Sequence, residues 1–214
     1  MSTATTKSSG QPTVVLEGRG LRIDDVVAVA RDGAPVVMGD TARAAMQRSA
    51  DLVEGFVASD SPVYGVTTGF GSLANTVIPP ERTAELQVAL VRSHATGMGD
   101  EVEREVARAL LLLRARSLSM GYSGVRPELV ELQTALLRAD IAPVVREHGS
   151  LGASGDLAPL SHCALVLIGE GEVRVADGSL QPSSTALSAA GLRPVTLRAK
   201  EGLALINGTD GILG

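Results

Sequence analysis

Gly149-Ser150-Leu151-Gly152-Ala153-Ser154-Gly155-Asp156-Leu157-Ala158-Pro159-Leu160 lies between two apolar segments, Ile141 to Val145 and Cys163 to Ile168. Three glycines, two serines and one acidic residue fall within it. Glycine lacks a Cβ and takes up backbone angles that other residues avoid. So many small residues in one run predict an unusual backbone path rather than an ordinary connection. Just downstream, Leu157 to Ile168 reads as an apolar helix. Pro159 is tolerated in its first turn, Gly169 closes it, and Asp156 is placed to cap it.

Working outward, the pattern is mostly helical. Thr13 to Leu16 predicts a short strand, Leu21 to Ala30 a short helix, and Pro35 to Met38 a second short apolar run. Asp40 or Thr41 can cap a helix from Ala42 to about Val57. Ser59 to Leu73 is loop-like and holds Tyr64-Gly65-Val66-Thr67-Thr68-Gly69-Phe70-Gly71. Pro79-Pro80 opens a helix from about Glu81 to Thr96, stopped by Gly97-Met98-Gly99. Asp100 is placed to cap the next helix, Glu101 to about Met120. That helix is apolar all round at Leu110 to Leu113, which predicts a central position. Pro127 opens a helix to about Ala139. Val173 to Leu180 reads as a hairpin turning at Asp177-Gly178. Ser183 or Ser184 caps a short helix to Ala190, and a last helix runs from Lys200 to about Ile206, ending at Asn207-Gly208.

The 214 residues are 44% hydrophobic and 20% charged, a globular composition large enough to bury a core. Aromatics make up 2%, so the core must come from Leu, Val, Ala and Ile. A net charge of −5 argues against a nucleic-acid partner, which calls for a basic stripe. Cys163 is the single cysteine, so a disulfide framework is excluded and a reducing, cytoplasmic setting is natural. No apolar run reaches membrane length. Met1 to Gln11 is polar, rich in Ser and Thr, and lacks the apolar centre of a signal peptide, so residues 1–12 read as a disordered tail. The three histidines and the carboxylates show no metal-ligand spacing, which predicts no metal.

Several residues admit two readings. Ala153-Ser154-Gly155 is either a small-residue turn before a helix or a backbone that cyclises. Cyclisation needs the Gly155 amide to attack the Ala153 carbonyl. Loss of water from Ser154 then leaves a methylene conjugated to the new ring, an electrophile that no standard side chain supplies. The positive end of the helix from Leu157 would favour the charge that builds when a nucleophile adds. Tyr64, set among glycines, is either a rim residue or a positioned base. A free tyrosine has a pKa of about 10, too high for a base at neutral pH without cationic or hydrogen-bonding neighbours. His94 sits in the last turn of its helix, where an imidazolium is favoured by the dipole alone. Asn207 with Gly208 is a common helix stop. His162 fits a satisfied core residue better than a ligand.

The run from Gly149 to His162 resembles the signature of the aromatic amino acid ammonia-lyases and aminomutases. Three further segments match in order: Tyr64 to Gly71 the tyrosine loop, Arg92-Ser93-His94-Ala95-Thr96-Gly97 the segment of histidine-specific members, and Glu201 to Thr209 the asparagine segment. The resemblance covers Val14 to Gly214. It implies that Ala153, Ser154 and Gly155 form a 4-methylidene-imidazol-5-one (MIO) group autocatalytically, with no metal and no nucleotide. Tyr64 would then remove the substrate β-proton, His94 would contact the substrate imidazole, Asn207 would bind near the MIO oxygen or the substrate's amino and carboxylate groups, and Asp156 would assist cyclisation. The implied reaction is L-histidine to trans-urocanate and ammonia.

The implied fold is mainly α, the N-terminal part of a helical-bundle lyase with a few short strands and a small hairpin. Residues 13–214 would form the MIO-bearing domain, stopping before the family's long central bundle, and the family implies a homo-oligomer, a tetramer at full length. A tyrosine- or phenylalanine-directed lyase or aminomutase, and a non-catalytic lyase-like module, remain as alternatives.

Overall fold

The computed structural model describes residues 12–59, 62–71, 75–79, 82–152 and 155–214. The expected N-terminal tail, Pro12 apart, lies outside them. Among the described residues the chain is mostly helical with short strands, as the sequence predicts. Strand β1 (Val14–Leu16) pairs in parallel with β2 (Val36–Met38), Val14 opposite Val36. Helix α1 (Ile23–Ala30) connects them. Helix α2 (Asp40–Val57) follows directly. Its N-terminus is served from a distance: the Ala42 N–H donates to Glu17 Oε2 at 3.2 Å, and neither Asp40 nor Thr41 caps it.

The centre of the molecule is α4 (Arg104–Ser119). Leu111, Leu112, Ala115 and Leu118 are wholly buried, against α1 and α5 (Pro127–Arg138). Each such leucine contributes roughly 1.5–3 kcal/mol. Arg108 is buried in the same helix. Its guanidinium donates to Val29 O and Ala30 O at the end of α1, and to Leu137 O and Asp140 Oδ1 at the end of α5. One cation therefore closes two helix C-termini, where carbonyls are left without intrahelical partners. Burial lowers its pKa, and Asp140 opposes that shift.

In the middle of the chain one expectation holds only in part and one fails. Helix α3 is Thr83–His94, and the following glycines do not merely stop it. Met98–Glu101 forms β3, antiparallel to β5 (Arg146–His148). Asp100 therefore lies in a strand and caps nothing; α4 begins three residues beyond β3, at Arg104. Strand β4 (Ala142–Pro143) joins the predicted hairpin, β6 (Glu172–Arg174) and β7 (Leu180–Pro182), in a three-stranded sheet of order β4-β6-β7. Ser183 opens α7 (Ser183–Ala189) from within the helix, and its hydroxyl donates to Val166 O at 3.1 Å instead of capping.

Three helices frame the loop around residue 155. They are α3, α6 (Leu157–Leu167) and α8 (Glu201–Ile206), and each packs on the other two. Gly202 of α8 crosses α3 at Gln87, where a Cβ would lie 2.7 Å from Gln87 O. The Gln87 Oε1 accepts the Leu203 N–H at 3.2 Å. A final turn, α9 (Asp210–Leu213), follows α8.

Candidate active site

Gly149 and Gly155 each stand against backbone just past the end of one of these helices, and glycine makes both contacts possible. At the near end, a Cβ on Gly149 would lie 3.2 Å from Gly97 Cα, just past α3. At the far end, Gly155 has φ +100°, and a Cβ there would lie 2.2 Å from Gly208 O, just past α8. That carbonyl accepts the Asp156 N–H at 2.7 Å. Only glycine fits at 155, because the conformation is one L-residues rarely adopt and the space beside it is filled by backbone.

Asp156 departs from its expected part. It precedes α6 but makes no side-chain cap. The buried carboxylate faces away from the helix it would have capped: Ser150 Oγ donates to Oδ1 at 2.7 Å, and the Ile212 N–H donates to Oδ2 at 3.0 Å. It ties the two ends of its own loop together and holds α9 against them.

The end of α3 carries His94, half-buried. Its Nδ1 lies 2.9 Å from Leu90 O and 3.0 Å from Ser93 Oγ. A carbonyl can only accept, so Nδ1 carries the hydrogen and the neutral ring keeps its lone pair on Nε2. Arg92 turns elsewhere, into a two-pronged ion pair with Glu170 at 2.6 and 2.9 Å. His162 of α6 is a satisfied structural residue, as the sequence suggests. Its Nε2 accepts the Gly97 N–H at 3.1 Å, and burial together with Arg146 lowers its pKa.

Tyr64 stands on the surface, 61% exposed. Gly71 N–H donates to its phenol oxygen over a long 3.5 Å. Its loop rests on α8, since a Cβ at Gly65 would lie 3.0 Å from Leu203 Cδ2. Leu203 and Asn207 are four residues apart and so share a helix face. Asn207 is exposed, with its N–H on Leu203 O at 3.0 Å. The structure thus gathers Gly155, Asn207–Gly208 and the Tyr64 loop about α8. His94 stands three residues before Gly97, which faces Gly149 at the other end of the 149–156 loop. Ala153 and Ser154 lie outside the described residues. The residues that are described fit an MIO group, because position 155 admits nothing larger than glycine.

Sequence reading missed the groups beneath this surface. Arg114 and Asp210 form a buried pair at 2.8 Å under Gly208, and Arg126 clasps the buried Glu201 at 2.8 and 2.9 Å. The signal for Arg114 was a charge directly after the four leucines Leu110 to Leu113, in a helix expected to be central. A cavity of about 820 Å³ opens between α2 and the 62–78 loop, lined by Val53, Val66, Ile78 and Leu197 among others. None of Tyr64, His94, Gly155 and Asn207 lines it, so it lies apart from the candidate chemistry. Among the described residues no group of three or more His, Cys, Asp or Glu side chains could hold a metal, and no described helix is long and apolar enough to cross a membrane.

The chain belongs to the aromatic amino acid lyase family, whose model matches residues 21–214. Among individual relatives it is 54% identical to a histidine ammonia-lyase of Streptomyces griseus, over 94% of this chain and 39% of that protein. Among solved structures it is similar to tyrosine aminomutase from Streptomyces globisporus, with TM-score 0.88 and 41% identity over 94% of this chain and 38% of the other. It is also similar to histidine ammonia-lyase from Trypanosoma cruzi, with TM-score 0.86 and 37% identity over 94% and 38%. The chain therefore spans about two fifths of the length of these relatives.

Proposed function

We propose that this chain carries the reacting end of an ammonia-lyase that converts L-histidine to trans-urocanate and ammonia. The observation that carries the reading is Gly155, held at φ +100° against Gly208 O beside Asn207. Residues 153–155 would form the MIO group, which supplies an electrophile for the substrate's amine and makes it a better leaving group. The remaining work falls to side chains of this chain. Tyr64, exposed on its loop, takes the β-proton. The Nε2 lone pair of His94 accepts the imidazole N–H of the substrate, a hydrogen bond that a phenyl ring lacks. The exposed amide of Asn207 holds the substrate's amino and carboxylate groups. Asp156, buried, shapes the loop for ring closure and does not touch the substrate.

Residues 13–214 form one MIO-bearing unit in this reading. Leu151 is 91% exposed, which supports a site completed by further protein surface, as in a homotetramer. The lone buried Cys163 suits a reducing, cytoplasmic setting.

Intact mass is the first measurement. Loss of two waters, absent in Ser154→Ala, supports the reading, and an unmodified mass favours a non-catalytic lyase-like module. Urocanate absorbance with L-histidine tests turnover, and Tyr64→Phe should abolish it. The likeness to tyrosine aminomutase supports a second reading, a tyrosine- or phenylalanine-directed lyase or aminomutase. Arylacrylate or β-amino acid formed from those substrates, with none from L-histidine, would replace the first reading by the second.

A further inference from the structure

Gly208 is pinned from below. A Cβ on it would lie 2.2 Å from Arg114 Nη1 and 2.5 Å from Asp210 Oδ2. Arg114 comes from the centre of α4 and is buried, as is Asp210. The guanidinium donates to Asp210 Oδ2 at 2.8 Å, to Asn207 O at 3.2 Å and to Ala204 O. Ser117 Oγ, one turn along α4, donates to Asp210 Oδ1 at 2.8 Å. The same cation thus gathers the last carbonyls of α8 and the first residue of α9, and Gly208 lies against it between them. On its other side the Gly208 carbonyl receives the Asp156 N–H and abuts Gly155.

Stability alone is a poor account of this pair. A buried ion pair often contributes no more than well-packed apolar residues of the same volume. Arg114 Nε–H also has no acceptor among the described residues, which is itself costly. Leucine or methionine would suit the position beside Leu110 to Leu113. What apolar residues could not do is fix where the Ala204 and Asn207 carbonyls point.

We propose that Arg114 and Asp210 are positioning residues, which set the Asn207–Gly208 corner so that its carbonyl fixes Gly155 and Asp156 in the geometry needed for ring closure. The structural half stands on the contacts above; the consequence for ring closure rests on the function proposed in the previous section.

The test uses the whole 214-residue chain and two readouts: hydrogen exchange at the Asp156 amide, and loss of two waters by intact mass. The central variant is the apolar double replacement Arg114→Met/Asp210→Leu, with folding followed by circular dichroism in urea. The expected result is a folded chain whose Asp156 amide exchanges at least about 10-fold faster. Dehydration should slow by a similar factor, and Arg114→Lys, which keeps the charge and donors, should restore part of both. A folded double variant with wild-type exchange at Asp156 overturns the proposal. Should the double variant fail to fold, Asp210→Asn and Ser117→Ala decide: unchanged Asp156 exchange in both overturns it, and faster exchange confined to residues 155–157 and 207–212 supports it. A wild-type chain that never loses water sinks the ring-closure reading, while its exchange data still decide the positioning claim.

Discussion

Replacing Glu201 with alanine removes one carboxylate that four donors share. Arg126 N–H and Nε donate to Oε1 at 3.3 and 2.8 Å, and Arg126 Nη2 and Arg198 N–H donate to Oε2 at 2.9 and 2.7 Å. The Glu201 side chain is 2% exposed and that of Arg126 17%. Breaking a buried pair from one side costs about 3–5 kcal/mol, because the other charge is left uncompensated. Arg126 keeps its bond to Thr196 O at 2.8 Å and some access to water, which places the loss near about 3 kcal/mol. In urea, with a slope of about 2–3 kcal/mol/M for a chain of this size, the midpoint should fall by about 1–1.5 M, read by far-UV circular dichroism. Glu201→Gln keeps one carbonyl acceptor and should lose about half as much. The apolar pair Arg126→Met/Glu201→Leu should recover most of the loss, because no buried charge remains. A fall below about 0.3 M for Glu201→Ala, or a double variant no better than the single one, would refute the reasoning.

Three further outcomes are expected. Gly155→Ala should cost about 2 kcal/mol or more and abolish the two-water loss, whereas Gly152→Ala, at φ +69° with open space around it, should cost about 1 kcal/mol; equal costs would contradict the close approach to Gly208. Burial, with some help from Asp210, raises the Cys163 pKa, so iodoacetamide should label the native chain at least about 100-fold more slowly than the chain in urea; fast native labelling would show that α6 opens locally. His162 must be neutral to accept the Gly97 N–H, and its folded pKa lies below the ordinary 6.5. The unfolded chain then binds the proton first. The stability this residue contributes is full above about pH 6.5 and is lost as pH falls toward the lower folded value, a dependence that His162→Gln should flatten.

Much of the helical framework was legible because long helices advertise themselves locally. The spacing of apolar residues, a proline in a first turn and a glycine past the end all act within a few residues. Helices α2, α4, α5 and α6 were legible this way. Capping assignments failed at Asp100, Asp156 and Ser183, each for the same reason. A short polar side chain or its backbone serves whichever partner the fold brings near, and these found a strand, a serine with a distant amide, and a carbonyl of α6. The pairing of β3 with β5 was equally hidden, since neither Met98–Glu101 nor Arg146–His148 alternates apolar and polar residues.

The candidate site divides along the same line. Tyr64, His94, Asn207 and the 149–156 run are visible in sequence because each belongs to a short, ordered match. Glycines at 149 and 155 could be read as demands for an unusual backbone, but what made them necessary could not. Gly97 stands opposite Gly149 and Gly208 opposite Gly155, each partner more than fifty residues away. Local sequence determines which residues can be small or helical. Whether a missing Cβ is needed depends on which atom occupies the space, and that is decided only when α3, α6 and α8 pack together.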